Sequence, residues 1–318
     1  VADINTQQPI TPETDFCIAS VSKQFSAVAI LQLAERHKLS LQDNLKKFFP
    51  EFKADFYNRI TLHHILSHTS GIPDTRPRTD RNFVLYSTDV ESCRYMIDLK
   101  KLHFEPGTQY EYINPTFQLV YQIIPRVTGV NFDTYMKKNI FDVAGMKNTL
   151  YFEAGRNIPH MAHGYSYDPV KKKYCENDYG EANFFSSKAD GGLYTSIRDF
   201  SRWEKALRDN KIISARSKQL AYTPYIQIPP TAEYGYNVDT GYGYGFFIQR
   251  RPDRPEIIYH LGDNGGFTIY AGKIPTENII LMFFSNRDDI DRIATADKIY
   301  DMMQKVNWFN DRKEREKE

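Results

Sequence analysis

Four short segments in the last third of the chain constrain the fold most strongly. Residues 242–249, 256–261, 266–273 and 278–284 are rich in aromatic and β-branched side chains and are separated by Pro, Gly, Asn and Asp. Connections this short cannot hold crossover helices, and strands joined by them pair antiparallel. The sequence therefore predicts an antiparallel meander in this part of the molecule.

Helical patterns surround these predicted strands. The first has a broad apolar face from Phe25 to Ala34, and Gly71 followed by Pro73 ends the second. These patterns predict an α+β fold, an α/β sandwich in which helices flank an antiparallel β-sheet. Predicted helices cover residues 20–38, 62–67, 196–207 (opened by a capping box of Ser196 and Asp199) and 290–308, before a charged tail at 311–318 that we expect to fray.

Length and composition indicate one globular domain. We predict an α/β part at about residues 1–40 and 185–318 and a mainly helical part at about 41–184. The 41 basic and 40 acidic side chains leave a net charge of +1, which gives no field that favours nucleic acid or anionic lipid as a partner. The longest apolar run, residues 279–284, is far shorter than the about 18 residues of a membrane span.

Three cysteines, Cys17, Cys93 and Cys175, are too few and too far apart for a disulfide scaffold or a Cys-rich zinc site. One internal bridge stays open among three pairings, and cysteine usage does not determine the compartment. Two histidine pairs, His64 with His68 and His160 with His163, have spacings that zinc can use. No third ligand accompanies either pair, so we favour a structural role for both.

The candidate nucleophile is Ser20, which begins the segment Ser20-Val21-Ser22-Lys23. The chain has no G-x-S-x-G, H-E-x-x-H, C-x-x-C, P-loop or G-x-G-x-x-G motif. The spacing puts Lys23 on the same face as Ser20 at a helix start, where free N–H groups stabilise an oxyanion and disfavour an ammonium. Partial burial lowers the pKa of Lys23 as well, so a neutral amine would accept the Ser20 proton. The alternative is an N-cap serine followed by a solvated lysine.

The surroundings of Ser20 resemble a known family. Residues 10–25, 62–74, 106–114, 191–199 and 260–262 match the family's motifs in their order, including H-T-S-G, Y-x-N and H-x-G. Over about residues 5–305 the chain is similar to the serine β-lactamase and penicillin-binding-protein superfamily. The nearest branch contains class C β-lactamases, D-alanyl-D-alanine carboxypeptidases and related esterases.

This resemblance implies a β-lactamase/transpeptidase-like fold and a hydrolase that cleaves an ester or amide bond through an acyl-enzyme. Ser20 would be the nucleophile and Lys23 its proton acceptor. Tyr112 would carry the proton to the leaving group and later activate water, and Asn114 would orient Lys23 and bind the substrate. His260 would supply a hydrogen bond or a positive charge beside Tyr112.

The resemblance also predicts the substrate contacts. The backbone N–H groups of Ser20 and Asp263 would form the oxyanion hole, and Leu261 and Gly262 would line the substrate site. Many relatives have Thr or Ser where this chain has Leu261, so we expect neutral esters to be preferred over carboxylate-bearing penicillins and D-Ala peptides. Three arginines are candidates for binding a carboxylate instead: Arg76, Arg78 and Arg81.

Further expectations come from the resemblance alone. It implies no metal and no organic cofactor, a small-molecule or peptide substrate, and export to the periplasm or cell surface. The helix and two strands that usually open this fold are not apparent in the sequence. We therefore expect a longer natural protein, or a sheet edge covered by another chain or by the last helix. The oligomeric state stays open, and a sensor domain that acylates without turnover is the alternative to an enzyme.

Overall fold

The computed structural model describes residues 1–77, 79–153, 158, 160–177, 187–230 and 239–305. Helices α1 to α11 cover Ser22–Glu35, Leu45–Phe48, Leu62–Leu66, Arg81–Tyr86, Asp89–Ser92, Asn114–Thr128, Phe132–Met136, Asp142–Ala144, Ile197–Arg208, Ala215–Ala221 and Arg292–Lys305. Strands β1 to β11 cover Asp15–Cys17, Leu150–Tyr151, Tyr165–Asp168, Lys173–Glu176, Leu193–Ser196, Ile226–Gln227, Asp239–Tyr242, Phe247–Arg251, Arg254–Asn264, Phe267–Ile274 and Ile279–Ser285.

The main sheet is formed by six antiparallel strands in the order β11-β10-β9-β8-β7-β6. Spatial neighbours are also neighbours in sequence, so the predicted meander is confirmed. The predicted strand at residues 242–249 is wrong, because a bend at 243–246 separates β7 from β8. Gly245 has a φ of +75° in this bend, and a Cβ there would lie 2.8 Å from the carbonyl oxygen of Lys23.

Apolar side chains cover both faces of the sheet, because neighbouring residues along each strand point to opposite sides. Ile258 and Ile269 belong to the main core, which also contains the apolar residues of α1 and α6. Leu261 belongs to a second cluster, which includes Ile293 and Tyr300 of α11. Residues 260 and 261 of β9 therefore face different layers of the molecule.

Helix α1 is buried along nearly its whole length. Residues 22–33 are all buried, and the helix packs against α6 and α10. Phe25 stacks on Trp203 of α9 with ring centroids 4.1 Å apart. Because Lys23 lies in the first turn of this central helix, its ammonium group is taken out of water.

The remaining elements build the helical part and two small sheets. Helices α2 to α8 lie between residues 45 and 144, and a short π-helical stretch at Lys137–Phe141 joins α7 to α8. Strand β5 pairs with β1 and β2, and β3 pairs with β4. The α+β fold with helices flanking an antiparallel sheet is thereby confirmed.

Several helix bounds differ from the predictions. Ser20 lies in a 3₁₀ turn, Ala19–Val21, and α1 begins two residues after it. Residues 306–308 of the predicted last helix and the tail at 311–318 lie outside the described residues. The division into α/β and helical parts stays a prediction. Among the described helices, none is long and apolar enough to cross a membrane.

Candidate active site

Most of the residues predicted for the site line one cavity of about 510 Å³. It lies between the segment before α6 and strand β9 of the main sheet. The lining includes Ser20, Tyr112, Asn114, His260, Leu261 and Asp263, together with Asp74, Phe247 and Arg292. Residues more than 200 positions apart in the chain therefore meet around a single space of substrate size.

The pair formed by Ser20 and Lys23 sits at one wall of this cavity. Lys23 Nζ lies 3.1 Å from Ser20 Oγ, within hydrogen-bonding distance. Ala19, immediately before Ser20, has a left-handed φ of +45°, a conformation that costs energy for a residue with a Cβ. The turn before α1 thus holds the hydroxyl toward the cavity while the lysine stays in the protein interior.

Lys23 is fully buried and has neutral hydrogen-bond partners. Its Nζ donates a hydrogen bond of 2.8 Å to the backbone carbonyl of Asp190 and lies over the rings of Tyr112 and Phe117, at 5.0 and 5.8 Å. Within the described residues, no carboxylate oxygen forms an ion pair with it. Burial lowers the pKa of Lys23 to about 8, more than the attraction of Asp190 raises it. This pKa leaves about a tenth of the amine unprotonated at pH 7, and about half of it at pH 8.

The segment at residues 187–190 holds the carbonyl that binds Lys23. The Asp89 carboxylate accepts the backbone N–H groups of Lys188 and Ala189 at 2.7 and 3.0 Å. Gln118 donates to the Asp190 carboxylate at 3.1 Å. Burial and the nearby Asp190 raise the pKa of Asp89 to about 8. Nothing in the sequence around Asp89 or Gln118 indicates this supporting role, because it depends on contacts across 72 to 100 residues.

Tyr112 and Asn114 lie where the segment before α6 meets the cavity. The Tyr112 ring is under the Lys23 ammonium, and Asn114 is the first residue of α6. Asn114 Oδ1 is buried and has no hydrogen-bond partner among the described residues. The predicted contact between Asn114 and Lys23 is not among the hydrogen bonds observed. The amide oxygen of Asn114 is instead available to a substrate donor.

His260 differs from the prediction in one respect. It is 1% exposed, and burial together with Lys23 lowers the pKa of the imidazole to about 3. The suggestion that His260 supplies a positive charge is therefore wrong, because the ring is neutral at pH 7. Its Nδ1 donates to the carbonyl of Leu261 at 2.8 Å, which leaves Nε2 to accept from the Tyr242 hydroxyl at 3.1 Å. The sequence analysis expected His260 to act beside Tyr112, but the hydrogen bond of its Nε2 is with Tyr242, which the sequence did not indicate.

Strand β9 brings the remaining predicted residues past Ser20. Gly262 permits this approach, since a Cβ there would lie 2.4 Å from the carbonyl oxygen of Ile18. Leu261 is 5% exposed and contributes an apolar surface to the cavity. The Asp263 carboxylate forms an ion pair with Arg292 at 2.6 Å. Sequence reasoning missed Arg292, the first residue of α11, which also lines the cavity.

The other candidate residues have different surroundings. Arg76 forms a bidentate pair with Asp74 at 2.8 Å, so its charge is balanced within the protein. Arg78 lies outside the described residues, as does the side chain of Arg81. The two histidine pairs have separate partners: His64 Nδ1 accepts from the Thr61 N–H at 3.1 Å, and His163 is 2.8 Å from Glu176.

Comparisons with known proteins identify the family and the fold of the chain. A family model described as Beta-lactamase matches residues 1–302. Penicillin-binding protein 4* of Bacillus subtilis (strain 168) is 27% identical over 300 residues, covering 91% of this chain and 64% of that protein. The octameric penicillin-binding protein homologue from Pyrococcus abyssi is similar with a TM-score of 0.81 at 27% identity, covering 96% of this chain and 69% of that one.

An amide-cleaving enzyme is also structurally similar. The D-amino acid amidase from Ochrobactrum anthropi SV3, complexed with L-phenylalanine amide, gives a TM-score of 0.73 at 25% identity, covering 90% of this chain and 80% of that one. The chain spans 64%, 67% and 55% of the length of three curated relatives.

Proposed function

The chain belongs to the beta-lactamase family, and from this premise we propose that it is a serine hydrolase that forms an acyl-enzyme on Ser20. The observation that carries the proposal is the contact between Ser20 Oγ and Lys23 Nζ at 3.1 Å, with a lysine whose pKa is lowered to about 8 by burial. A hydroxyl beside a partly neutral amine is an activated nucleophile.

Acylation begins when Lys23 Nζ accepts the Ser20 proton and Oγ bonds to the substrate carbonyl carbon. The resulting oxyanion accepts hydrogen bonds from the backbone N–H groups of Ser20 and Asp263. The bond to the leaving oxygen or nitrogen then breaks, and the leaving group takes the proton from Lys23 by way of the Tyr112 hydroxyl. Because these groups interact, Lys23 and Tyr112 titrate as one system.

Deacylation reverses these roles with water as the nucleophile. The Tyr112 hydroxyl and Lys23 take a proton from water as it attacks the ester carbon. The bond to Ser20 Oγ then breaks, Oγ recovers its proton, and the carboxylic acid product leaves. Asn114, with its unpaired Oδ1, accepts a hydrogen bond from a substrate N–H or O–H.

We propose neutral short-chain esters as the preferred substrates, because Leu261 cannot donate a hydrogen bond to a carboxylate. Desolvating an anion beside an apolar wall without a replacement donor costs about 1–3 kcal/mol, which corresponds to roughly a 5- to 150-fold loss of affinity. Of the arginines that the structure describes near the site, Arg76 is already paired with Asp74 and Arg292 with Asp263. An uncharged acyl group does not incur this desolvation cost.

A carboxylate-bearing substrate, such as a D-Ala peptide or a β-lactam, is the second candidate. Arg292 favours it, because this residue lines the cavity and its Nε is buried without a hydrogen-bond partner among the described residues. The relatives named as a penicillin-binding protein and a D-amino acid amidase also support amide-type substrates.

Intact-mass analysis after reaction with a fluorophosphonate tests the acyl-enzyme. The expected result is one adduct on the wild type and none on Ser20→Ala, with turnover of a neutral ester that continues beyond one equivalent. An undiminished adduct on Ser20→Ala contradicts the assignment of the nucleophile. A stoichiometric burst without further turnover identifies the sensor alternative.

Kinetics on three substrate classes test the specificity. A neutral ester should have a higher kcat/KM than benzylpenicillin or a D-Ala-D-Ala peptide, and Leu261→Thr should narrow the difference. A clear preference of the wild type for the D-Ala peptide, lost in Arg292→Ala, would establish the second candidate instead. The family also leads us to propose export from the cytoplasm, which fractionation of producing cells tests.

A further inference from the structure

His68 has an unusual backbone conformation two residues after the end of helix α3. It is 1% exposed, and its backbone has a left-handed φ of +56°. Gly adopts this conformation without strain, and His, Asn and Asp adopt it more often than other residues with a Cβ. The buried imidazole thus lies at a backbone position that most residues with a Cβ avoid.

Three contacts join His68 to the segment that carries Tyr112. The His68 carbonyl accepts the N–H of Glu111 at 3.0 Å, and His68 Nδ1 accepts the N–H of Ile113 at 3.3 Å. Its ring lies against the Tyr112 ring with centroids 4.3 Å apart and planes inclined by 35°. The residues on both sides of Tyr112, and its ring, are thus all held by one residue.

The imidazole of His68 is neutral. Burial, with Lys23 and His260 nearby, lowers the pKa of His68 well below its usual value. Since Nδ1 accepts from Ile113, the ring hydrogen is on Nε2, which is buried and has no partner among the described residues. The ring is fixed by Ile113 on one side and otherwise by packing against Tyr112, Phe117 and Tyr242. A neutral ring also adds no positive charge beside Lys23.

We propose that His68 is a positioning residue for Tyr112, holding the phenol in place for proton transfer through its contacts with Glu111, Ile113 and the Tyr112 ring. The inference rests on the proposed function, because it assigns His68 an effect on the reaction only through Tyr112. His68 itself does not line the cavity described above. Proton transfer is sensitive to this placement, since a displacement of about 1 Å at a catalytic group lowers rates by roughly 100-fold.

The primary test is His68→Asn. Asparagine tolerates the left-handed backbone, and its side-chain oxygen is a potential acceptor for the Ile113 N–H, but it removes the ring beneath Tyr112. The expected result is a kcat lowered by roughly 10- to 100-fold with KM changed less than about threefold. His64→Asn is the matched control, because His64 caps α3 at Thr61 and, in the described part of the chain, no hydrogen bond or ring contact joins it to Tyr112. Its kcat should stay within about twofold of the wild type.

A double-mutant cycle separates positioning from general damage to the fold. If His68 acts through the Tyr112 hydroxyl, adding His68→Asn to Tyr112→Phe should lower kcat by less than about threefold more. Losses that multiply in the double variant would overturn the proposal, as would a wild-type kcat in His68→Asn. Thermal unfolding of each variant verifies that the compared proteins are folded.

A second measurement does not need turnover. The ring protons of Tyr112, assigned by comparison with Tyr112→Phe, should shift in the NMR spectrum of His68→Asn and stay unchanged in His64→Asn. Unshifted signals in His68→Asn contradict the positioning role. Fluorophosphonate labelling of Ser20 in the same samples tests the nucleophile independently, so failure of the proposed function is distinguishable from failure of this inference.

Discussion

Two buried lysines in this molecule have similar surroundings, yet their pKa values are shifted in opposite directions. Lys23 is 0% exposed and Lys273 is 7% exposed. Each has aromatic rings close to its ammonium group: Tyr112 and Phe117 for Lys23, and Tyr222 and Phe246 for Lys273, all at 4.9 to 5.8 Å. Burial and aromatic contact are therefore closely matched between the two sites.

The hydrogen-bond partners differ. Lys273 Nζ lies 3.0 and 2.8 Å from the two carboxylate oxygens of Glu204, whereas Lys23 binds the Ser20 hydroxyl and a backbone carbonyl. Burial acts to lower the pKa of both lysines, but Glu204 together with Tyr222 more than offsets it and raises the pKa of Lys273. A buried lysine thus stays charged where it has a carboxylate, and becomes a base where it has only neutral partners.

Replacing each lysine in turn should produce the largest contrast in activity. Lys23→Ala should lower kcat/KM for a neutral ester by roughly 100- to 10,000-fold, because the proton acceptor for Ser20 is lost. Lys273→Ala should leave the kcat of the folded enzyme unchanged. Steady-state kinetics with active-site titration measures both, and comparable losses in the two variants would remove the functional distinction between the lysines.

Stability should show the opposite contrast. Lys273→Met leaves the Glu204 charge buried without its partner, which costs about 3–5 kcal/mol. The double variant Lys273→Met with Glu204→Leu should recover most of that loss, since no charge is then buried. Lys23→Met removes a lysine without an ion pair and should change stability by about 1 kcal/mol or less. The denaturant midpoints of the variants measure these changes in stability. A Lys273→Met protein as stable as the wild type would contradict the ion-pair account.

A carboxylate placed beside Lys23 should raise its pKa, as Glu204 does for Lys273. Ser20→Asp places an acidic group beside Nζ, so the pKa of Lys23 should rise above about 10. The same-sized neutral variant Ser20→Asn should leave that pKa near 8. Titration of the lysine ε-carbon signal by NMR measures both values. Equal values in the two variants would mean that partner charge does not control this amine.

The pH dependence should give the smallest effect, tenfold for each pH unit. Protonated Lys23 has no lone pair, so kcat/KM for a neutral ester should fall tenfold per unit as pH decreases below about 8 and level off above it. Titration of Lys273, which is charged, should add no further decrease to this pH profile. A profile flat from pH 6 to 9 would show that Lys23 is not the rate-determining base.

Local patterns were sufficient for much of the fold. The meander, α3, α9 and α11 follow from alternation, capping and turn residues, which act between neighbours in the chain. The wrong strand prediction at residues 242–249 has a tertiary cause. Gly245 bends the chain where it lies against Lys23 of α1, and a contact between distant residues leaves no local pattern in the sequence. For the site, the sequence led to Ser20, Lys23, Tyr112 and His260 through motifs, and their roles stay predictions.

What the sequence determined by itself is the meander, several of the helices and the candidate reactive groups, because periodicity and short motifs are properties of adjacent residues. The tertiary structure alone decided their charge states and partners. Only the fold could show that His260 is neutral and bound to Tyr242, or that Arg292 faces the cavity. It also brought the Asp190 carbonyl to Lys23, across 167 residues. The reason is physical: the pKa of a group depends on burial and on charges brought close by folding, and neither is encoded at the group's own position in the chain.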